Sequence, residues 1–341
     1  MTLLQKSILS TIVYYDTLDR PLTSFEIFKY LVNPLYLEAK IPNKFEINRF
    51  SEITLSNIIK NLPRAEKSGQ SRELKNFIGE KDGFYFLKAR EKIIRVRIER
   101  QKIADQKWKK AKKIISWLQI IPYLRMVAVS GSLALNNTCE ESDFDLFIVV
   151  KNKRIWLSRF LITLFVQLIG KRRYKNFTKD RICLNHYVTD KSLEIKYPSL
   201  SNAQINARLI PVLEIQPGIY NKFQKANDWV KLYLVFYPEV EIKNLRYLKT
   251  NPFLRNIAKT GEACLNNKFG DWAESLFRKL QKRLIKKNPL TYKKGGRVVT
   301  DDEQLEFHPN ARERQILDKY NKTMVKLGMK ELSREKDSGL L

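Results

Sequence analysis

Two aspartates separated by one residue, Asp143 and Asp145, stand at the start of a very apolar run that ends at Val150. If this run is a β-strand, residues i and i+2 project from the same face, so the two carboxylates lie side by side. They repel each other unless a cation lies between them. Carboxylate oxygens are the ligands that Mg²⁺ prefers. The spacing therefore predicts a metal site in which Asp143 and Asp145 hold Mg²⁺ or Mn²⁺.

A Gly-Ser pair, Gly131 and Ser132, stands about a dozen residues earlier and follows the apolar, strand-like run Arg125 to Val129. Glycine lets a ligand approach the backbone closely. A serine hydroxyl and the free N–H groups at a helix start suit a phosphate oxygen. Together with a metal, such a site favours metal-assisted phosphoryl transfer. In the alternative, structural interpretation, Asp143 only caps the start of the strand and Asp145 is merely exposed.

The segment GSLALNNTCEESDFDLFIV resembles the nucleotide-binding signature of the DNA polymerase β-like nucleotidyltransferase superfamily, in which a Gly-Ser pair precedes Ser-Asp-x-Asp-Leu. The close match covers about 25 residues, and a looser match covers residues 122–198. The order of the predicted elements also resembles uncharacterised bacterial nucleotidyltransferase-domain proteins with an N-terminal winged-helix-like region.

This resemblance implies a small mixed sheet with helices on one side and a nucleoside triphosphate such as ATP as substrate. In the superfamily the two aspartates hold two metal ions, a nucleoside monophosphate is joined to a hydroxyl, and pyrophosphate leaves. By position, Gly131 and Ser132 would contact the triphosphate, and Ser142 in the signature is a further phosphate-binding candidate. Asp143 and Asp145 would be the metal ligands and the catalytic residues.

The superfamily usually has a third carboxylate on a later strand, which here is expected within Arg181 to Asp190. The simplest position for it is Asn185, whose amide oxygen can bind a metal but whose side chain is neutral and a poor base. Asp180, Asp190 and Glu194 are possible substitutes, and Glu194 has the best apolar flanks. Without a third carboxylate, the protein would bind a nucleotide yet react slowly or not at all.

Strand alternation predicts that His186 faces away from Asn185, on the same side as Leu184 and Val188. A structural hydrogen bond is the favoured interpretation of His186, with a role in the site as the alternative. His308 lies in a polar stretch before a helical pattern, and its sequence context indicates no chemical role.

The chain has three widely separated cysteines, Cys139, Cys183 and Cys264. Their odd number and spacing argue against a disulfide framework and favour a reducing compartment, so we expect a cytoplasmic protein. The two histidines add no sequence spacing that is typical of zinc.

The N-terminal segment, residues 1–90, predicts a winged-helix-like domain. Helical patterns cover residues 3–15, the stretch after a cap at Thr23 or Ser24, and Ile53 to Leu62. A hairpin is predicted around Asp82 and the following glycine. In a DNA-binding version the third helix would enter the major groove, with Asn57 and Lys60 as readers, followed by Arg64, Lys67 and Arg72. A packing or protein-contact role is the alternative.

The remaining organisation follows from composition and periodicity. Residues 91–120 predict a long basic linker helix, residues 121–200 the nucleotidyltransferase core, and residues 201–341 a mostly helical C-terminal region. The overall expectation is the α+β class. Helices are expected at 202–212, 221–233, 273–287 and 313–327.

The chain carries 64 Lys+Arg against 36 Asp+Glu, a formal charge of +28. Such a surface attracts polyanions, so nucleic acid is a candidate partner beside the nucleoside triphosphate; codon bias or solubility is the alternative. The apolar run Ile155 to Gly170 is shorter than the ~20 residues that a membrane span needs, and a buried helix is expected there.

Three functional hypotheses follow. The first is a metal-dependent nucleotidyltransferase that moves a nucleoside monophosphate to a hydroxyl acceptor, which could be a nucleic acid end, a protein side chain or a small molecule. The second is a winged-helix DNA-binding regulator whose degenerate nucleotidyltransferase domain only binds a nucleotide. The third, a basic scaffold or membrane-surface protein, is the least favoured.

Overall fold

The computed structural model describes residues 1–38, 52–63, 73–174, 177–237, 246–309 and 313–329. A six-stranded mixed sheet forms its centre, and helices lie against both faces of that sheet. The predicted α+β class is confirmed. The predicted DNA-reading side chains Arg64, Lys67 and Arg72 lie outside the described residues.

The described residues of the N-terminal unit form three helices, a short turn of helix and a hairpin. Its elements are α1 (Leu3–Asp16), α2 (Ser24–Lys29), α3 (Pro34–Leu37), α4 (Leu55–Asn61), β1 (Ile78–Lys81) and β2 (Phe84–Leu87). Of the two predicted caps, Thr23 and Ser24, it is Thr23 that caps α2, and it also forms a reciprocal pair of bonds with Glu26. The predicted turn at Asp82 joins β1 to β2.

A 25-residue helix, α5 (Ile93–Trp117), follows the hairpin where the basic linker helix is predicted. At one end Arg97 pairs with Glu26, with Nη1 2.6 Å from Oε2. Further along, Trp108, Ala111 and Ile115 are buried against the central sheet. The helix therefore links the N-terminal unit to the sheet, while basic residues cover much of its outer side.

The remaining elements are β3 (Leu124–Val129), α6 (Gly131–Ala134), β4 (Phe144–Val150), α7 (Ile155–Leu168), β5 (Ile182–Thr189), α8 (Leu200–Ala207), β6 (Ile210–Glu214), α9 (Ile219–Ala226), α10 (Pro252–Leu265), α11 (Lys268–Lys287), β7 (Arg297–Thr300), β8 (Gln304–His308) and α12 (Glu313–Lys326). The strand order is β6-β3-β4-β5-β8-β7. Only the β4–β5 pair is parallel among these described strands; the other pairs are antiparallel.

The central strands β3 and β4 are apolar because the sheet is covered on both faces. On one face, Leu146 and Ile148 pack with residues of α5 and α7, including Trp156. On the other face, Phe147 and Val149 pack with α9. The polar residues of β4 are consequently restricted to its amino end, where the two aspartates lie.

Residues 201–341, predicted as mostly helical, also supply three strands to this sheet. The helix predicted at 202–212 ends at Ala207, and residues 210–214 form β6; Pro211 is tolerated there because β6 is an edge strand. The buried ions Arg297 and Glu306 lie in β7 and β8 and interrupt the apolar pattern that would have predicted those strands. Helix α10 is an addition to the helices that the sequence predicts.

The N-terminal and C-terminal regions share one hydrophobic core. The Ser10 hydroxyl on α1 lies 2.7 Å from the hydroxyl of Tyr320 on α12. Tyr15 donates to Gln204 of α8 over 2.7 Å. The N-terminal unit is therefore enclosed by elements that come more than 180 residues later in the chain. Within the described ranges, no helix is both long and apolar enough to cross a bilayer.

Candidate functional site

The two aspartates lie at the amino end of β4. Backbone bonds fix this end: Phe144 N donates to Arg181 O over 2.8 Å, and Ser130 N donates to Asp145 O over 3.0 Å. One ligand atom from each of Asp143, Asp145 and Cys183 lies within 4.8 Å of the others. The structure therefore brings the two predicted carboxylates together, beside the start of β5.

Gly131 lies directly against the carboxylate of Asp145. Its φ of +65° favours glycine. A Cβ at this position would also overlap the Oδ2 atom of Asp145. Glycine is therefore needed on two counts, since any side chain would strain the backbone and displace the carboxylate.

The two predicted phosphate-binding serines have different surroundings. Ser132 is partly exposed at the start of α6, and its hydroxyl makes no hydrogen bond with the described residues. Ser142 closes the preceding loop, because its Oγ accepts from Cys139 N over 3.1 Å and lies 3.2 Å from Cys139 Sγ. Ser132 is therefore available to a ligand, whereas Ser142 is engaged in holding the loop.

A β-bulge in β5 determines what faces the aspartates. Asp145 pairs with Cys183 and Phe147 with His186, so two steps along β4 match three steps along β5. Asn185 turns towards Asp145, and its Nδ2 donates to Asp145 Oδ1 over 3.2 Å. The ring of His186 lies edge-on to Phe147, with centroids 4.9 Å apart. The predicted opposite facing of Asn185 and His186 is therefore wrong, because the extra residue places both on one face of the sheet.

The alternative third carboxylates do not reach the pair. Asp180 is occupied by Lys107, which donates to it over 2.9 Å, and by Lys110. Asp190 accepts from a backbone amide at the carboxyl end of β5, the end opposite the aspartates. Glu194 is exposed and follows that same end. Asn185 accordingly donates to Asp145 from the neighbouring strand, where Cys183 also lies beside it.

A basic residue that the sequence did not single out, Arg173, lies at the site. Its Nη1 is 2.8 Å from Asp143 Oδ2 and donates to Cys183 Sγ over 3.3 Å. The contact with Asp143 is an ion pair outside hydrogen-bond angles, so the buried Oδ2 of Asp143 has no hydrogen-bond donor. In the sequence, the run Lys171 to Arg173 is only a basic flank to the apolar helix. The fold shows that this run lies beside β5, where Arg173 N donates to Ile182 O over 3.1 Å.

The electrostatics of the site favour the binding of a cation. Burial and then the charge of Asp143 raise the pKa of Asp145 to about 6, although Arg173 partly opposes this. Burial and the two aspartates also raise the pKa of the Cys183 thiol, so it stays protonated at neutral pH. The strain of two neighbouring carboxylates would be relieved by a divalent ion.

The donor set fits such an ion. Two carboxylates, one with a buried oxygen that lacks a donor, provide the hard oxygen ligands of Mg²⁺. Asn185 could add its amide oxygen if the amide group turned over. Cys183 is protonated and is a poor ligand for a hard cation.

Comparison of the chain with protein-family models, with curated proteins and with solved structures gave no significant match.

Proposed function

We propose that the protein is a metal-dependent nucleotidyltransferase that moves a nucleoside monophosphate from a nucleoside triphosphate to a hydroxyl acceptor. The observation that carries the proposal is the Asp143–Asp145 pair, held within reach of one metal ion against a glycine with no room for a side chain. Strands β3, β4 and β5 would then be the small mixed sheet of a nucleotidyltransferase core.

The residues of the site have distinct roles under this proposal. Asp143 and Asp145 would hold Mg²⁺ or Mn²⁺, which neutralises phosphate charge and polarises the reacting phosphoryl group. Ser132 would donate its hydroxyl to a phosphate oxygen, and Gly131 lets that phosphate approach the backbone. Arg173 is 44% exposed and could turn from Asp143 to the leaving pyrophosphate once a metal replaces it.

The acceptor is best sought among polyanions. The net charge of +28 raises the local concentration of nucleic acid at the surface, so an RNA or DNA hydroxyl is the first acceptor to test. The N-terminal helices and hairpin would form a winged-helix-like accessory domain.

A specific observation favours a second function, that of a DNA-binding regulator with a nucleotide-sensing domain. Asn185 replaces the third carboxylate with a neutral amide, which cannot help to deprotonate an attacking hydroxyl. The helix α4 supports this function only weakly. The Asn57 side chain is hydrogen-bonded to Thr54 at the helix cap, so of the two predicted base-reading residues only Lys60 is left exposed and unengaged in capping.

A label-transfer assay separates the two functions. Purified protein is incubated with each labelled nucleoside triphosphate, Mg²⁺ or Mn²⁺, and RNA, DNA or protein acceptors. We expect transfer that is lost in Asp143→Asn and Asp145→Asn but kept in Glu141→Gln, a matched control in the same loop that is exposed and lies 3.7 Å from Lys179. Absence of transfer under every condition, together with tight sequence-selective DNA binding, would replace the first proposal with the second.

A further inference from the structure

A second polar cluster lies on the same sheet and has no role in the proposed transfer. We name His186, Glu306 and His308 the histidine cluster. One ligand atom from each lies within 4.8 Å of the others. His186 of β5 is directly paired in register with Glu306 of β8, and His308 is two residues further along β8. The chain has two histidines, and the fold brings both to this cluster from 122 positions apart.

The spacing of the cluster suits a metal of ordinary coordination geometry. His308 Nε2 lies 3.4 Å from Glu306 Oε1. Two ligands of a tetrahedral zinc ion, each about 2.0–2.1 Å from it, are about 3.3 Å apart. This pair therefore already has the separation of two ligands on one ion.

An outer shell holds the carboxylate in place. Arg297 Nε donates to Glu306 Oε1 over 2.8 Å, and both terminal nitrogens of Arg297 donate to Glu313 over 2.9 Å. Glu306 is 1% exposed. Its Oε1, the oxygen nearest His308, is also the one that accepts from Arg297, whereas its Oε2 has only a 3.4 Å contact with Gln304 Nε2 among the described residues. The carboxylate therefore keeps a lone pair for a metal, chiefly on Oε2. One arginine and two glutamates leave a net negative charge, which favours a cation.

An unpartnered polar atom and a partly exposed ring lie on one side of the cluster. Gln304 Nε2 lies 3.3 Å from His186 Nε2, and the buried Oε1 of Gln304 has no hydrogen-bond partner in the described part of the chain. His308 is 29% exposed and opens the cluster to solvent. A water bound to the metal could therefore enter beside His308 and donate to Gln304 Oε1.

We propose that the histidine cluster binds a divalent transition metal, with Zn²⁺ as the best fit, through two imidazoles and the carboxylate of Glu306. Three protein ligands with an open fourth position are the arrangement of zinc sites that keep a bound water. Imidazole nitrogen suits zinc, whereas the all-oxygen donors around Asp145 suit Mg²⁺. The two sites would thus select different ions on one sheet.

Histidine-selective NMR tests this proposal directly, because the protein without a polyhistidine tag has only two imidazoles. The full chain is labelled with ¹⁵N-imidazole histidine, stripped of metal and titrated with Zn²⁺ alone. We expect both rings to shift together and to saturate at one Zn²⁺ per chain. Zinc that leaves one or both rings unshifted at saturation would overturn the three-ligand site.

Variants give a second, independent measurement of zinc affinity by calorimetry. His308→Ala and His186→Asn should each weaken binding by at least about 100-fold, the upper end of the effect of an outer-shell partner. Glu303→Gln, an exposed acid on the same hairpin, is the matched control and should bind as the parent does. Unchanged binding in both histidine variants would overturn the proposal. So would zinc binding that is lost only in Asp145→Asn. Nucleotidyl transfer is measured separately, so either proposal can fail alone.

Discussion

The two polar clusters lie on one face of one sheet and are separated by the bulge in β5, yet they are stabilised in opposite ways. The carboxylate cluster, Asp143 with Asp145, has a half-exposed arginine as its counter-ion. The histidine cluster has a buried arginine, Arg297, that is bonded to two buried carboxylates. In the first, Arg173 relieves only part of the repulsion between the two carboxylates, so the pKa of Asp145 stays raised. In the second, Arg297 already compensates the charge of the carboxylates.

The largest expected effect comes from replacing the arginine of each cluster, Arg297 or Arg173, and comparing the loss of stability. Arg297→Gln should destabilise the protein by about 3–5 kcal/mol, because it leaves Glu306 and Glu313 buried without a cation. The matched change Arg173→Gln should cost less, about 1 kcal/mol, since the Arg173 guanidinium is half-exposed and water screens its pair with Asp143. Urea unfolding of both variants at pH 7 measures the difference. Similar losses in the two variants would mean that the clusters are stabilised alike.

The pH dependence of stability should also have opposite signs at the two clusters. The pKa of Asp145 is raised to about 6, so its carboxylate costs stability that is absent at low pH and appears as the pH rises through 6. Burial alone would raise the pKa of Glu306, but the charges of His186, Arg297 and His308 lower it. Its contribution is present above the unfolded pKa and is lost as the pH falls through the lower folded value.

Asp145→Asn isolates the first of these contributions. Without added metal, it should stabilise the protein at pH 8 by up to roughly 3 kcal/mol, at 1.36 kcal/mol per pKa unit, and by little at pH 4. The amide that replaces the carboxylate could still accept the bond from Asn185, so packing is kept. Thermal unfolding in metal-free buffer at the two pH values measures this. A variant that is less stable than the parent at pH 8 would contradict the raised pKa.

Gly131→Ala should disturb the carboxylate cluster and leave the histidine cluster unchanged. Positive φ and the overlap with Asp145 together should cost about 1–3 kcal/mol and abolish Mg²⁺ binding. Gly83→Ala separates the two causes, because Gly83 has a φ of +75° but no atom within 4 Å of the place that a Cβ would take. Calorimetry with Mg²⁺ should find the control unchanged. Equal Mg²⁺ affinity in both variants would show that the close approach of Gly131 to Asp145 does not matter for metal binding.

The two clusters also differ in how far the sequence predicts them: the carboxylate cluster could be predicted, and the histidine cluster could not. Gly131, Ser132 and the two aspartates lie within 15 residues, so strand and turn rules were enough to place them together. The histidine cluster depends on the pairing of β5 with β8, and residues 120 and 122 positions apart leave no local pattern. The bulge in β5 could not be predicted from the sequence either. A regularly alternating strand of the same composition would place His186 on the face opposite Asn185.

The sequence predictions also missed the strands β7 and β8 and one site residue, each for a physical reason. A buried ion pair in β7 and β8 conceals the apolar alternation of short strands. Arg173 could not be placed because its position depends on the path of residues 171–174 alongside Ile182, which only the folded chain fixes. The N-terminal helices, by contrast, carry capping residues such as Thr23 that mark their starts in the sequence.

The smallest expected effect is at Asn185, whose amide on β5 donates a hydrogen bond to Asp145. Asn185→Asp should raise the affinity for Mg²⁺ about tenfold, equivalent to roughly 1.4 kcal/mol, since a third carboxylate lies beside Asp145. It should lower stability in metal-free buffer, because the added charge is opposed by Asp145 rather than paired. Calorimetric titration with Mg²⁺ and unfolding in chelator measure the two effects, with Glu141→Gln as the control. An unchanged Mg²⁺ affinity would show that the position facing Asp145 from β5 is not a metal-ligand position, and the two clusters would then differ in more than their counter-ions.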